Sequence, residues 1–184
     1  MRRIIPIVFG VLAVSVSALA QTAAEGSSDN PALAAAPPQM RDGATIIKWK
    51  PDFTYETVKK GTNRLVCYDR SGEPGRQPFA VQCTSIGNLD RVAQNRKFEA
   101  MTDKAARQKA IDAAEADGTR VKPEYGSVFY MMNGPDQAHA RGHMTIAVPG
   151  ATTQSTGLAD NPKQGGVWIM NAGTTTAHIM TPGH

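Results

Sequence analysis

Phe79-Ala80-Val81-Gln82-Cys83-Thr84-Ser85-Ile86-Gly87-Asn88-Leu89 is where the chain changes character. Up to Cys83 the residues are β-branched, aromatic or apolar in a short run that suits a strand. Thr84 and Ser85 are residue types that cap helices, and beyond them Ile86, Leu89, Val92, Ala93, Phe98 and Met101 recur near helical spacing. Upstream, Ala44–Trp49, Phe53–Val58 and Leu65–Tyr68 read as strands separated by turn residues. Downstream, Thr102 or Asp103 opens a second helix through Ala116, which Gly118 can stop. Its apolar stripe is mostly alanine plus Ile111, so it should pack thinly.

After Pro123 the pattern returns to strands. Ser127–Met132 is strongly apolar. In His143–Val148 the residues alternate, with Met144, Ile146 and Val148 on one face and His143, Thr145 and Ala147 on the other. Val167–Met170 and Ala177–Met180 flank a Gly-Thr turn and read as neighbouring strands. Strands, helices, then strands predict an α+β domain: a mainly antiparallel sheet with one or two helices, about residues 85–117, packed on one face.

Cys67 and Cys83 are the only cysteines. An even count, on two strands joined by a Gly- and Pro-containing loop, points to one disulfide in an oxidising compartment. Their spacing fits neither CxxC nor a zinc site.

The N-terminus supplies the compartment. Met1-Arg2-Arg3, an apolar run to Leu19 and the small-residue exit Ala18-Leu19-Ala20 have the three parts of a signal peptide over residues 1–20. No later segment is apolar enough for a membrane span, so no insertion is expected after cleavage, and a periplasmic location follows. Residues 21–43 are Ala-, Ser- and Pro-rich and read as a flexible leader. That leaves 44–184 as a single domain. The formal charge of +4 includes Arg2 and Arg3. Without them the excess is too small, and too evenly spread, for nucleic acid.

The second half resembles a group of small secreted bacterial proteins with no activity attached to them. The likeness is carried by Gly126-Ser127-Val128-Phe129-Tyr130-Met131-Met132-Asn133-Gly134, by Val148-Pro149-Gly150-Ala151-Thr152-Thr153 and by Ala177-His178-Ile179-Met180-Thr181-Pro182-Gly183. The resemblance implies export and a single domain, and supplies no mechanism.

Chemistry is concentrated late in the chain. His139, His143, His178 and His184 all lie in the last quarter, near the long polar stretch 149–166. His143, His178 and Trp168 are expected to share one pocket beside that stretch, with Thr174, Thr175 and Thr176 on its rim. The leading expectation is a non-enzymatic binding or envelope-associated protein without a cofactor. A second is a His-assisted or metal-dependent hydrolase using His143 and His178. A third is a copper carrier using His178 and Met180, with His143 as a further candidate ligand, because imidazole with thioether suits Cu(I). No Walker A, GxGxxG, HExxH or CxxCH motif is present.

Overall fold

The computed structural model describes residues 29–164 and 166–181. The eight strands are β1 (Thr45–Trp49), β2 (Tyr55–Lys59), β3 (Leu65–Asp69), β4 (Phe79–Ser85), β5 (Val128–Gly134), β6 (Arg141–Ala147), β7 (Trp168–Met170) and β8 (His178–Met180). They form one sheet in the order β2-β1-β3-β4-β5-β6-β8-β7. Only β1 and β3 run parallel; every other neighbouring pair is antiparallel. Two main helices, α1 (Leu89–Glu99) and α2 (Lys104–Ala116), separate the first four strands from the last four. The fold is α+β, as the order of patterns predicts.

Register sorts the side chains. Val66 and Tyr68 of β3 share a face with Phe129 and Met131 of β5, because residues paired across antiparallel strands point the same way. On that face Leu89 and Val92 of α1 pack against Ile47, Val66 and Tyr68. α2 lies chiefly on α1 and buries only Ala114, so its alanine-rich stripe does pack thinly. Cys67 and Cys83 face the opposite way, are directly paired across β3 and β4, and are joined by a disulfide.

The helix does not start where Thr84 and Ser85 suggest. Both finish β4. The Thr84 hydroxyl donates to the Val128 carbonyl at 3.0 Å and the Ser85 hydroxyl to the Glu124 carboxylate. A 3₁₀ turn, Ile86–Asn88, then leads into α1. At α2 the cap is Asp103, whose carboxylate accepts from the Ala105 and Ala106 N–H groups at 2.8 and 3.0 Å.

The expected leader needs correction. Signal residues 1–20 and leader residues 21–28 lie outside the described residues, but the remainder of the leader is part of the core. Pro31–Ala35 forms a 3₁₀ turn capped by the Asn30 side chain, and Ala32, Leu33 and Ala36 are buried over Ile46, Leu65, Cys67 and Cys83. Asn63 donates from Nδ2 to the Met40 carbonyl at 2.8 Å, which ties the end of the segment to the sheet. Composition missed this because small residues close to a tightly packed sheet bury little area each yet leave no gap.

The polar stretch after β6 also differs from the expectation of a structureless loop. It holds a helical turn, Thr153–Thr156, closed by a Thr152–Ser155 capping box, and a 3₁₀ turn, Pro162–Gln164. Ala151 packs with Val148, Ile169 and Ala177 in a small separate core, with Leu158 and Ile179 against it. Ile169 and Ile179 point away from the face that carries His178 and Met180. This stretch therefore covers the face opposite α1.

Candidate functional site

The face that packs against α1 continues past the helix onto β5, β6 and β8. Met131 of β5 is paired with His143 of β6, and Phe129 with Thr145. Thr145 is paired with Met180 of β8, and Ala147 with His178. Met170 of β7 stands opposite His178. All these side chains share one face by strand alternation. Together with Arg91, Val92 and Glu99 from α1 and Arg70 and Arg76 from the loop after β3 they line an open cleft of about 330 Å³.

His143 and His178 both line it, but at different ends. His178 is paired with Ala147, four residues from His143, which separates their backbone positions by about 13 Å at ordinary strand rise. The His178 ring is held by a 2.7 Å hydrogen bond that Nδ1–H donates to the Thr176 carbonyl. His139 is remote and exposed, bound to Asp136 at 2.8 Å, and His184 lies outside the described residues.

Trp168 is half-buried and shares the Met180 face through its pairing, but does not line the cavity. Nor does any residue of 149–164, which the fold places on the other side. The expectation that this loop, Trp168 and both histidines meet in one pocket is corrected on those two points. Of the three threonines only Thr176 reaches the cavity wall.

Thr175 and Thr176 instead form a latch to the helices. The Arg91 guanidinium, 3% exposed, donates to the Val121 carbonyl at 2.5 Å, to Thr175 Oγ1 at 3.1 Å and to Thr176 Oγ1 at 2.7 Å. Glu115 of α2 accepts from the Thr175 N–H and from the Thr175 and Thr176 hydroxyls. Burial pushes Arg91 down to about 10, and the Arg120 charge adds to this while Glu115 opposes it. Burial works against ionisation of Glu115, but its hydrogen bonds from Thr175 and Thr176 outweigh that and hold the carboxyl below its ordinary range.

The latch has a pH signature. A carboxyl depressed on folding stabilises the fold above its unfolded value and loses that contribution as pH falls through the folded one. The thermal midpoint of wild type should therefore exceed that of Glu115→Gln at neutral pH, and the gap should narrow below about pH 4.5, the unperturbed value. A gap that stays constant from pH 7 to pH 3 would show that ionised Glu115 does not hold the turn.

Sequence reasoning missed the arginines because charged helix faces are ordinarily solvated. A signal was present. Arg91, Asn95 and Glu99 recur every four residues on α1 beside Leu89 and Val92, placing a polar stripe next to the apolar one. All three line the cavity.

Among the described residues no group of three or more His, Cys, Asp or Glu side chains is placed to hold a metal ion. No helix among them is long and apolar enough to cross a membrane. Comparison of the chain with protein-family models, with curated proteins and with solved structures returns no match.

Proposed function

We propose that the protein is an exported, non-enzymatic binding protein that holds a small, largely apolar molecule between α1 and the β5–β6–β8–β7 end of the sheet. The observation that supports this most is the cavity wall. Phe129, Met131, Met170, Met180 and Val92 form the apolar part of a cleft of about 330 Å³, whose wall also carries His143 and His178 and, towards α1 and the loop after β3, Arg70, Arg76, Arg91 and Glu99. An apolar wall beside fixed polar groups is a usual feature of a small-molecule site, and methionine side chains adapt to varied shapes. The disulfide and the resemblance to small secreted proteins both fit export.

The neutral dye N-phenyl-1-naphthylamine tests the reading without charge attraction. Saturable fluorescence enhancement with wild type, lost in Met180→Lys at unchanged far-UV circular dichroism, is the expected result. No saturable enhancement, or enhancement that survives Met180→Lys, would overturn it. The hydrolase alternative gains nothing from the geometry. Among the described residues no serine or threonine hydroxyl is hydrogen-bonded to a histidine ring.

One observation favours copper as a second reading. Met131 stands directly opposite His143, and Met180, paired with the next cavity-facing residue Thr145, is diagonal to His143. That offers one imidazole and two thioethers on neighbouring strands, a donor set suited to Cu(I). His178 with Met170 and Met180 offers a similar set at the other end. Competition with a coloured Cu(I) chelator would separate the readings. Stoichiometric copper transfer to the protein, abolished in Met131→Leu/Met180→Leu, supports the copper site, and no transfer removes it.

A further inference from the structure

A second cleft adjoins the first, sharing Arg76, Arg91, Asn95, Glu99 and Thr176 with it, and lies between α1, α2 and the loop after β3. It has a volume of about 580 Å³. Its wall carries five cations, Arg76, Arg91, Lys104, Arg107 and Arg120, and one carboxylate, Glu99. Glu99 is already taken, bound to Arg70 and to Arg76, the latter at 2.7 Å.

The two innermost cations are the informative ones. Arg91 and Arg120 are 3% and 6% exposed, and neither touches a carboxylate. Arg91 is held by a carbonyl and two hydroxyls. Arg120 donates to the Gln94 and Asn95 side-chain oxygens at 2.6 and 2.5 Å and stacks over Phe98 at 5.0 Å, and its Nε has no partner. A buried guanidinium without an anion is costly, and two facing one cleft repel each other. Burial, with this mutual repulsion, is what depresses Arg91. Proteins ordinarily pair such charges. Glu115 reaches Arg91 only through the Thr175 and Thr176 hydroxyls and acts on Arg120 only at a distance, so two guanidinium groups with no carboxylate in direct contact stand at the wall of an open cleft, and arginine forks with neighbouring lysine match the oxygens of a phosphoryl group.

We infer that the cleft between α1 and α2 is a binding site for the phosphoryl group of a small molecule, anchored by Arg91 and Arg120 at its base and by Arg76, Lys104 and Arg107 around its mouth. The five donors come from the loop after β3, from α1, from α2 and from the segment after α2. Several oxygens on one centre can be reached from all of these sides, which a single carboxylate would not satisfy. The site stands on the arginines and does not require the apolar cavity to be filled.

Isothermal titration calorimetry of the full exported protein with inorganic pyrophosphate in 150 mM sodium chloride tests this, and flotation with phosphatidylglycerol vesicles tests a lipid headgroup as the phosphoryl source. Binding in either assay, weakened about tenfold or more by Lys104→Gln/Arg107→Gln and unchanged by Lys163→Gln, is the expected result. The assay that shows it identifies the source. Arg120→Met should weaken binding further. Where that variant fails to fold, the double variant at the cleft mouth still decides the matter. Absence of binding in both assays overturns the site, as does binding that Lys104→Gln/Arg107→Gln leaves intact. The neutral-dye titration reads the other cavity, so failure here and failure there are separate results.

Discussion

Leu33→Ala is expected to lower the unfolding free energy by about 2–5 kcal/mol, the range for deleting a buried leucine side chain. Leu33 is 1% exposed and lies over Cys67, Cys83, Ile46 and Leu65 on the sheet face opposite α1. The turn that carries it is locally well made. Pro31 sits in the first turn, Asn30 Oδ1 accepts from the Ala32 N–H at 2.9 Å, and the Leu33 carbonyl accepts from Ala36. Its exit is fixed as well, because Thr62 and Asn63 both donate backbone N–H groups to the Gly43 carbonyl. A Cβ at Gly61 would come within 2.2 Å of that same oxygen, so the approach requires glycine. Collapse around the lost side chain is therefore restricted, and the cost should lie in the upper half of the range. Urea unfolding of the purified protein measures it. A loss below about 1 kcal/mol would mean that the segment rests on the sheet without stabilising it. Limited proteolysis should also leave residues 31–43 intact while the domain is folded.

That segment marks the limit of what the sequence could convey. The strands of the sheet were legible because alternation and β-branched runs are local signals, and the switch to helix after Cys83 was legible for the same reason. The pairing of Trp168–Met170 with His178–Met180 followed from two short runs around a Gly-Thr turn. Pro31-Ala32-Leu33-Ala34-Ala35-Ala36 was not legible, because its burial depends on a surface formed by strands distant in sequence, including Cys83 of β4 and Tyr130 of β5. The same applies to the stretch after β6. Its polar composition conveyed neither its two short helical turns nor the face it covers, which depends on Ile169 and Ile179 pointing away from α1. Placement of His178 on the face of His143 needed the parity of the β6–β8 register as well as strand alternation. Their separation along β6 needed the β6–β8 register, which no local pattern specifies. Arg120 was illegible for a further reason: a lone charged residue after a helix has the same local appearance whether solvated or buried, and Arg91 left only the faint signal of its stripe with Asn95 and Glu99.

Loss of the Cys67–Cys83 bridge should lower the thermal midpoint by about 10 °C, from about 3 kcal/mol of stabilisation for a loop of this length. The two cysteines are directly opposed on β3 and β4, which the sheet already holds together, so the bridge acts mainly by restricting the unfolded chain. Its position adds a kinetic expectation. Both cysteines are 0% exposed beneath the Pro31–Ala35 turn, and Ala32 and Leu33 belong to the same cluster. A reductant cannot reach the sulfurs unless that turn lifts. Reduction of the folded protein by dithiothreitol should therefore be slow and limited by opening of the 30–43 segment. Leu33→Ala weakens the cover without altering the bridge, so it should accelerate reduction even under conditions where the variant is fully folded. Free thiols quantified against time in wild type and Leu33→Ala read this directly. Equal reduction rates would show that the sulfurs are reached from another side, and a midpoint shift of less than about 2 °C on reduction would show that the sheet holds β3 and β4 without the bridge.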